Sequence, residues 1–488
     1  MKTNHFNAWI RIAWFSLVAV TLLGTSRHSI VAQSQEPQKP TPEVQQLKER
    51  LQQLEQTVQE LKGQINAMEE TKKSPAPQID QADHPSAAPS ASSAAPSAPP
   101  PANTAPKPQD NVKGESTFQI YGFAMLDAGY QFKQNDPNWF DVVRPVKLPA
   151  FSNEFAPNGK TYWGVRQSRL GVRSTTPTKY GELKTQFEFE LFGVGIDAGQ
   201  TTFRLRHAYG ELGPIGAGQT WSPFMDIDVF PNSLEYWGPN GMVFFRNVQV
   251  RWMPLKGRNA VTIALERPGA TADQGVFADR IELQGVNPKF DLPDLSGNVR
   301  FTREWGYFQA AGMLRRIKWV DTNNDSFDLS GSAIGVGINL TSNLKFTEND
   351  TGRFAFVAGQ GIENYMNDAP TDVGIKLTPG GDPRRPIKGV ALPMWSMVAF
   401  LDHNWNKRFS TAVGYSMLDI DNSNGQTADA FHRGHYALGN LLYYPVENVM
   451  IGGEFQWGRR NNFLDGFHSD DFRIQFSFRY NFSKMFKF

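Results

Sequence analysis

Cysteine is missing from the whole chain of 488 residues. Its absence excludes disulfide bonds, thiol nucleophiles and cysteine-ligated metals, and it is typical of proteins exported to an oxidising compartment. No internal run of about 18 apolar residues is present, so no internal segment is predicted to cross a membrane as a helix. The formal net charge is only +1, which gives no general reason to expect nucleic acid as a partner.

Candidate catalytic and metal-binding groups are also sparse. The eight histidines are scattered, and His432 and His435 are three residues apart, which places them on opposite faces of a strand. No Gly-x-Ser-x-Gly elbow is present to carry a serine nucleophile. The stretch Asp321–Asp325 is similar to a calcium loop, but Ser326 stands where glycine is required. The sequence therefore predicts no enzyme, no bound metal and no other cofactor.

Aromatic residues and glycine are plentiful, with 36 Phe, 13 Tyr, 12 Trp and 43 Gly, although 20% of the residues are charged. The last strand shows how both kinds of side chain coexist. Within residues 471–482 the apolar positions are Phe472, Ile474, Phe476, Phe478, Tyr480 and Phe482, and the polar positions between them are Arg473, Gln475, Ser477, Arg479 and Asn481. A period of two gives one apolar and one polar face. A soluble sheet could bury this apolar face, whereas a membrane barrel would expose it to lipid.

Three segments precede the strand-rich region. Residues 1–32 combine Lys2 and Arg11 with a short apolar run, which predicts a secretory signal peptide. Residues 43–70 repeat apolar side chains at alternating spacings of three and four, which predicts a coiled-coil helix and hence oligomerisation, without fixing the number of helices. Residues 73–115 are rich in Pro, Ala and Ser and predict a disordered linker.

Residues 116–488 repeat a pattern of strand, short turn, strand and long loop. The predicted strands are 117–132, 161–175, 181–193, 202–213, 215–221, 244–255, 259–267, 297–304, 307–319, 330–344, 351–360, 393–403, 408–418, 431–444, 447–458 and 471–482. An even number of strands, with short connections at one end and longer ones at the other, is typical of bacterial outer-membrane barrels. We therefore expect an all-β fold, a sixteen-stranded antiparallel transmembrane β-barrel in the Gram-negative outer membrane, with the coiled coil in the periplasm.

If the apolar faces contact lipid, the opposite phase of each strand faces the lumen. The arginines in that phase are Arg169, Arg173, Arg204, Arg206, Arg251, Arg300, Arg315 and Arg473, with Arg479 expected at the rim. The acids in that phase are fewer: Asp127, Glu188, Glu190, Glu266 and Glu454. Guanidinium groups match carboxylates and phosphates, and rings of arginine in a pore favour anions. About half of these arginines are expected to pair with acids and only brace the wall, because unpaired charge in a confined lumen is costly.

Five motifs resemble the DcaP-like outer-membrane porins, and the resemblance covers nearly the whole chain. They are Ser168–Arg173 (SRLGVR), Gly359–Asp368 (GQGIENYMND), Ala437–Pro445 (ALGNLLYYP), Phe455–Arg460 (FQWGRR) and Arg473–Phe476 (RIQF). The signal, coiled coil and linker also match that family's layout. The resemblance implies a homotrimer of sixteen-stranded barrels that passes small anionic solutes, dicarboxylates among them. One departure is that the chain continues past Phe482 to Phe488, which leaves open which of the two serves as the insertion signal.

The third long loop runs from Trp221 to Val243 and follows the fifth strand. By resemblance to general porins, this loop folds inward and narrows the channel. It carries Asp226, Asp228 and Glu235. Acids on the loop that face arginines on the wall would produce a transverse field. The alternative is a loop packed on the outer rim.

The expected function is passive diffusion of small, preferentially anionic solutes such as dicarboxylates, in a barrel surrounded by outer-membrane lipid. A phosphate-selective porin is an alternative, but it would need Lys and Arg concentrated on the inward loops, whereas the loop before Val243 is acidic. A structural or adhesive outer-membrane protein without transport is an alternative of a different class, and it rests on the coiled coil.

Overall fold

The computed structural model describes residues 114–269 and 283–488. The predicted signal peptide, the predicted coiled coil and all but the last two residues of the predicted linker lie outside the described residues. In the part of the chain that is described, no helix has both the length and the apolar character that a membrane span requires.

Sixteen antiparallel strands form a closed barrel, which confirms the predicted fold class. They are β1 Thr117–Gln131, β2 Arg169–Thr178, β3 Gly181–Phe192, β4 Thr201–Leu212, β5 Ile215–Trp221, β6 Arg246–Leu255, β7 Asn259–Glu266, β8 Asp294–Arg303, β9 Gly306–Asp321, β10 Gly331–Lys345, β11 Asp350–Gln360, β12 Pro393–Asn406, β13 Phe409–Ile420, β14 Phe431–Tyr443, β15 Val449–Asn462 and β16 His468–Lys487. The barrel closes because β1 pairs with β16 on one side and with β2 on the other.

The prediction of one continuous strand over 161–175 is wrong. A short strand, Lys160–Gly164, pairs with the second half of β1, and β2 begins only after a four-residue break. Within the break, the neighbouring residues Arg166 and Gln167 are both buried, an arrangement that strict alternation does not allow. The Arg166 guanidinium donates to Asp141 at 2.5 Å, so this ion pair turns the chain inward where the sequence pattern continues as a strand.

The last strand is longer than predicted. Lys484 lies opposite Ile120 and Phe486 lies opposite Phe118, so the residues after Phe482 continue the pairing with β1. The backbone N–H of Phe488 donates to the carbonyl of Ser116 at 3.0 Å. The barrel wall therefore includes the C-terminal extension.

The two faces of β16 point as the alternation predicts. Phe476 is 62% exposed on the outside of the barrel, whereas Arg473 and Gln475 are fully buried on the inside. Seven connections of two to five residues lie at one end of the barrel, and long connections such as 132–168, 222–245 and 361–392 lie at the other. In outer-membrane barrels the short turns are periplasmic and the long loops extracellular.

The inside of the barrel has two different walls. On β9–β14, here named the packed wall, inward residues such as Val357, Phe400 and Leu418 form a buried apolar cluster with Phe224 and Met242 of the loop 222–245. On β2–β6, here named the charged wall, the inward side chains include Arg169, Glu188, Glu190, Arg206 and Arg251. The loop covers the packed wall, so open space inside the barrel lies along the charged wall.

Candidate functional site

The loop 222–245, which joins β5 to β6, crosses the interior of the barrel. The backbone N–H of Gly241 donates to the Ser416 hydroxyl on β13 at 2.8 Å. The backbone N–H of Leu234 donates to the Glu454 carboxylate on β15 at 2.7 Å. These partners belong to strands far round the barrel from β5 and β6, so the loop is fastened across the lumen and narrows it.

Two of the three acids predicted on this loop bind the wall near β8–β10. Asp226 is buried and accepts hydrogen bonds from the hydroxyls of Tyr307 at 2.7 Å and Thr341 at 2.6 Å. Asp228 is about half exposed and forms an ion pair with Arg300, with 2.5 Å between Oδ2 and Nη2. The charges of this part of the loop are therefore neutralised or hydrogen-bonded locally.

The third acid, Glu235, is a buried anchor. Its carboxylate accepts from the backbone N–H groups of Val143 at 2.6 Å and Gly238 at 2.7 Å, and from the Tyr436 hydroxyl at 2.6 Å. Arg473 lies 3.8 Å away. Burial raises the pKa of Glu235 to about 7, while Arg473 and these hydrogen bonds act in the opposite direction. The Glu235 side chain joins two loops and strand β14, and it therefore holds the constricting loop in place.

The charged wall is organised around one carboxylate. Glu190 on β3 is fully buried, and its oxygens lie 2.6 Å from Arg206, 3.5 Å from Arg169, 3.5 Å from Arg204 and 3.5 Å from Arg246. The hydroxyl of Tyr236, which is on the loop, also donates to this carboxylate. One acid therefore holds four guanidinium groups in a single cluster.

A second carboxylate, Glu188, completes the cluster. It accepts from Arg206 Nε at 2.6 Å and from the Tyr121 hydroxyl at 2.8 Å, and it lies 3.6 Å from Arg169 Nε. Four guanidinium groups therefore share two carboxylates, which leaves a net charge of +2. The name arginine cluster is used below for Arg169, Arg204, Arg206, Arg246, Glu188 and Glu190.

A β-bulge lies at the central arginine of this cluster. On β3, Glu188 lies opposite His207 of β4, and the next residue, Phe189, lies opposite Leu205. Arg206 therefore has no partner in the pairing, and both Arg206 and His207 turn inward and are buried. The bulge therefore turns His207 inward beside Arg206, a placement of two neighbouring residues that alternation alone does not allow.

Two cavities meet beside the arginine cluster. A cavity of about 440 Å³ is lined by residues near the short-turn end, among them Arg479, and by Arg169 and Arg206. A cavity of about 300 Å³ is lined by residues of the long loops, among them Trp139, Trp237 and Asn367, and by Arg204. Tyr236 and Phe244 line both cavities. The constriction is thus a slot with aromatic rings of the loop on one side and guanidinium groups of the wall on the other.

The structure brings together three of the predicted arginines, Arg169, Arg204 and Arg206. Two others are on the charged wall outside the cluster. Arg173 donates to Gln119 at 2.5 Å, and Arg251 donates to the carbonyl of Trp221 at 2.6 Å.

The remaining three predicted arginines lie away from the constriction. Arg300 pairs with Asp226 and Asp228 of the loop. Arg315 and Arg473 are almost completely buried. Each of these three has an acid or amide partner.

Sequence reasoning missed Arg246, Tyr236 and Phe244. Arg246 is five residues before Arg251, so alternation assigns it to the outer face, yet only 5% of its side chain is exposed. Its guanidinium lies 4.8 Å from the centre of the Trp221 ring. Arg246 is the first residue of β6, where the strand joins the constricting loop and alternation no longer applies. The only available signal was its position next to that loop.

The candidate calcium loop forms a turn. Asp321 accepts from the backbone N–H groups of Asn323 at 2.8 Å and Leu329 at 2.7 Å. Across residues 114–269 and 283–488, no group of three or more histidine and acidic side chains is arranged to hold a metal ion.

Comparison with known proteins identifies the family. The profile of the DcaP outer membrane proteins matches residues 102–482. The chain belongs to the DcaP outer membrane protein family. Together with the barrel fold, this membership makes it a porin of the outer membrane. A search of curated proteins finds no match to this DcaP-family chain.

Three solved structures of bacterial outer-membrane proteins are similar to this DcaP-family protein. The crystal structure of the outer membrane channel DcaP of Acinetobacter baumannii has a TM-score of 0.64 at 19% identity, and the match covers 76% of this chain and 99% of that one. An anion-selective porin from Comamonas acidovorans has a TM-score of 0.49 at 12% identity, with 75% and 100% covered. The in-vitro folded trimer form of OmpT from Vibrio cholerae has a TM-score of 0.46 at 12% identity, with 76% and 100% covered.

Proposed function

We propose that this porin conducts small anionic solutes, dicarboxylates among them, by passive diffusion through the slot between the loop and the charged wall. The observation that carries the proposal is the net charge of +2 on the arginine cluster where the two cavities meet. Positive charge in a narrow, partly dehydrated passage attracts anions and repels cations more strongly than it would in bulk water.

The cluster has guanidinium groups available for a solute. Arg169 and Arg204 lie 3.5 Å or more from their acids and keep about a quarter of their side-chain surface exposed. Arg206 is held at 2.6 Å by both acids and is buried. A passing carboxylate would therefore meet Arg169 and Arg204, and two such groups suit a solute with two carboxylates because each fork can bind one of them.

We also propose that the protein is a homotrimer with a periplasmic coiled coil. Support comes from the heptad pattern of residues 43–70, which needs partner helices, and from the resemblance to trimeric DcaP-like porins. Light scattering of the detergent-solubilised full chain should give the mass of three copies, and a monomeric mass would contradict this part of the proposal.

The test of anion selectivity is the reversal potential across a planar bilayer in a salt gradient, with chloride, succinate or phosphate as the anion. The variant Arg169→Gln/Arg204→Gln removes two charges but leaves Arg206 and Arg246 to hold Glu190. Its anion-to-cation permeability ratio should fall by about fivefold or more, because each lost charge lies within a few ångströms of the path.

Arg303→Gln is the matched control. Arg303 is exposed at the end of β8 and donates to Asn259 at 3.0 Å, far from the constriction. This variant should keep the wild-type ratio. An unchanged ratio in the double variant would refute the proposal, and a reconstituted wild type without conductance would favour the structural or adhesive alternative. A stronger reversal-potential response to phosphate than to succinate would favour the phosphate-selective alternative.

A further inference from the structure

One arginine inside the barrel has no acid partner. Arg479 on β16 lies opposite Met450, the second residue of β15 after the short turn at 444–448. Alternation predicted it at the rim, but its side chain is partly buried and lines the cavity of about 440 Å³ on the periplasmic side of the constriction. Across residues 114–269 and 283–488 this side chain forms no ion pair and no hydrogen bond. A guanidinium group left in this state favours an anion beside it.

The acids around Arg479 are held by other groups. Asp127 acts on Arg479 electrostatically but forms no ion pair with it. The Asp127 carboxylate accepts hydrogen bonds from three side chains, the shortest from the Ser477 hydroxyl at 2.6 Å. Of the two acids that line the cavity, Glu188 belongs to the arginine cluster and Glu235 is the buried anchor of the loop. Arg479 therefore adds to the cavity one positive charge that no acid holds.

Phe123 connects Arg479 to the arginine cluster. The centre of its ring lies 5.2 Å from the guanidinium carbon of Arg169 and 5.6 Å from that of Arg479. Arg169 lies opposite Phe123 on β2, and Arg479 lies opposite Met125 on β16, so the two guanidinium groups reach the ring from the strands on either side of β1. All three side chains line the same cavity. Two cations thus face one cavity with a single apolar ring between them.

We propose that Arg169 and Arg479 bind the two carboxylates of one dicarboxylate, with its hydrocarbon chain against Phe123. The inference rests on the proposed function and specifies it, because it names the residue that distinguishes a dianion from a monoanion. Once past Arg204 at the constriction, the solute keeps one carboxylate at Arg169 and places the other at Arg479. Each guanidinium fork binds one carboxylate, and the ring between them covers the methylene groups.

The test measures how succinate and butyrate, which have the same number of carbons, block the chloride current of the full-length protein in a planar bilayer. A slightly alkaline pH keeps every carboxylate ionised. In the wild type, half-block by succinate should need about a tenfold lower concentration than half-block by butyrate. Arg479→Gln should raise the half-blocking concentration of succinate about tenfold and leave that of butyrate within about twofold, because a single carboxylate still has Arg169. Arg479→Met keeps an unbranched stem beside Phe123 and should give the same result, so the test does not depend on the folding of one variant.

Arg408→Gln is the matched control. Arg408 is exposed in the short turn between β12 and β13, so the change removes the same charge at the periplasmic end without touching the cavity lining. This variant should be blocked as the wild type is.

Three results would overturn the inference: equal block of the wild type by the two solutes, equal losses for both solutes in the Arg479 variants, or no loss for succinate. Arg479 would then act as a distant charge or as a brace for Phe123. A wild type without anion preference in its reversal potential would instead refute the proposed function, so the two failures are distinguishable.

Discussion

The charged wall and the packed wall belong to one barrel, but their inner faces carry opposite kinds of side chain. On the charged wall, buried polar side chains face one another across a slot, and Glu190 alone contacts four guanidinium groups. On the packed wall, inward residues such as Val357 and Leu418 are apolar and completely buried beneath the loop. The first wall can attract a solute, and the second can hold a loop.

The difference shows that the inner face of a porin strand need not be polar. Polar and apolar residues alternate along a strand only where the two faces of the strand have different environments. Where a loop fills the lumen, the inner face has an apolar neighbour, so apolar side chains are stabilised on both faces of the strand. The position of the conducting path therefore follows from which wall the loop leaves uncovered.

The largest expected effect comes from Glu190→Gln, which removes the shared carboxylate. Four guanidinium groups would then share Glu188 alone, so the free energy of unfolding should drop by about 3–5 kcal/mol, because buried charge loses its partner. The same change raises the net charge of the cluster, so the anion preference should increase. Urea unfolding and reversal potentials measure the two effects.

For the charged wall we therefore expect the two quantities to change in opposite directions: the free energy of unfolding falls and the anion preference rises. Arg303→Gln, which changes a charge outside the lumen, should alter neither quantity. A fall in both stability and anion preference after Glu190→Gln would contradict the view that surplus guanidinium charge sets the selectivity.

A somewhat smaller effect is expected on the packed wall from Phe224→Ala. Phe224 is fully buried in the apolar cluster, so the change leaves a cavity and should cost about 3 kcal/mol of unfolding free energy. A loosened loop should also increase single-channel conductance.

Phe203→Ala is the matched control, because Phe203 is 80% exposed on the outer face, where lipid closes around a shortened side chain. Its cost should be about 1–2 kcal/mol without a change in conductance. Equal conductance in the Phe224 variant and the wild type would show that the loop does not depend on this wall.

The strand pattern was sufficient to predict the sixteen-stranded barrel because lipid imposes alternation on the outer faces of the strands. It could not predict the break at Arg166, because the force that turns the chain inward is an ion pair with Asp141, a residue 25 positions away. It also could not predict the packed wall, since the partner of those inward faces is the loop 222–245.

The candidate site could be predicted only in part, because strand phase places some of its residues and not others. Arg169 and Arg204 follow the strand phase, and so their inward placement could be inferred. Arg206 follows the same phase, two residues after Arg204. The bulge that turns His207 inward beside it, and the strand end that carries Arg246, do not obey the period of two. The loop aromatics Tyr236 and Phe244 carry no periodic signal, and their role depends on how the loop crosses the lumen.

The most direct test of the account asks which wall lines the conducting path. Because the chain has no cysteine, single cysteines can be introduced at Gln186, which lines the cavity on the charged wall, and at Val398, which is buried on the packed wall. A negatively charged thiol reagent is then added to each variant in a planar bilayer. The account predicts a rapid fall in current for Gln186→Cys and none for Val398→Cys. A block of Val398→Cys with no effect on Gln186→Cys would contradict it.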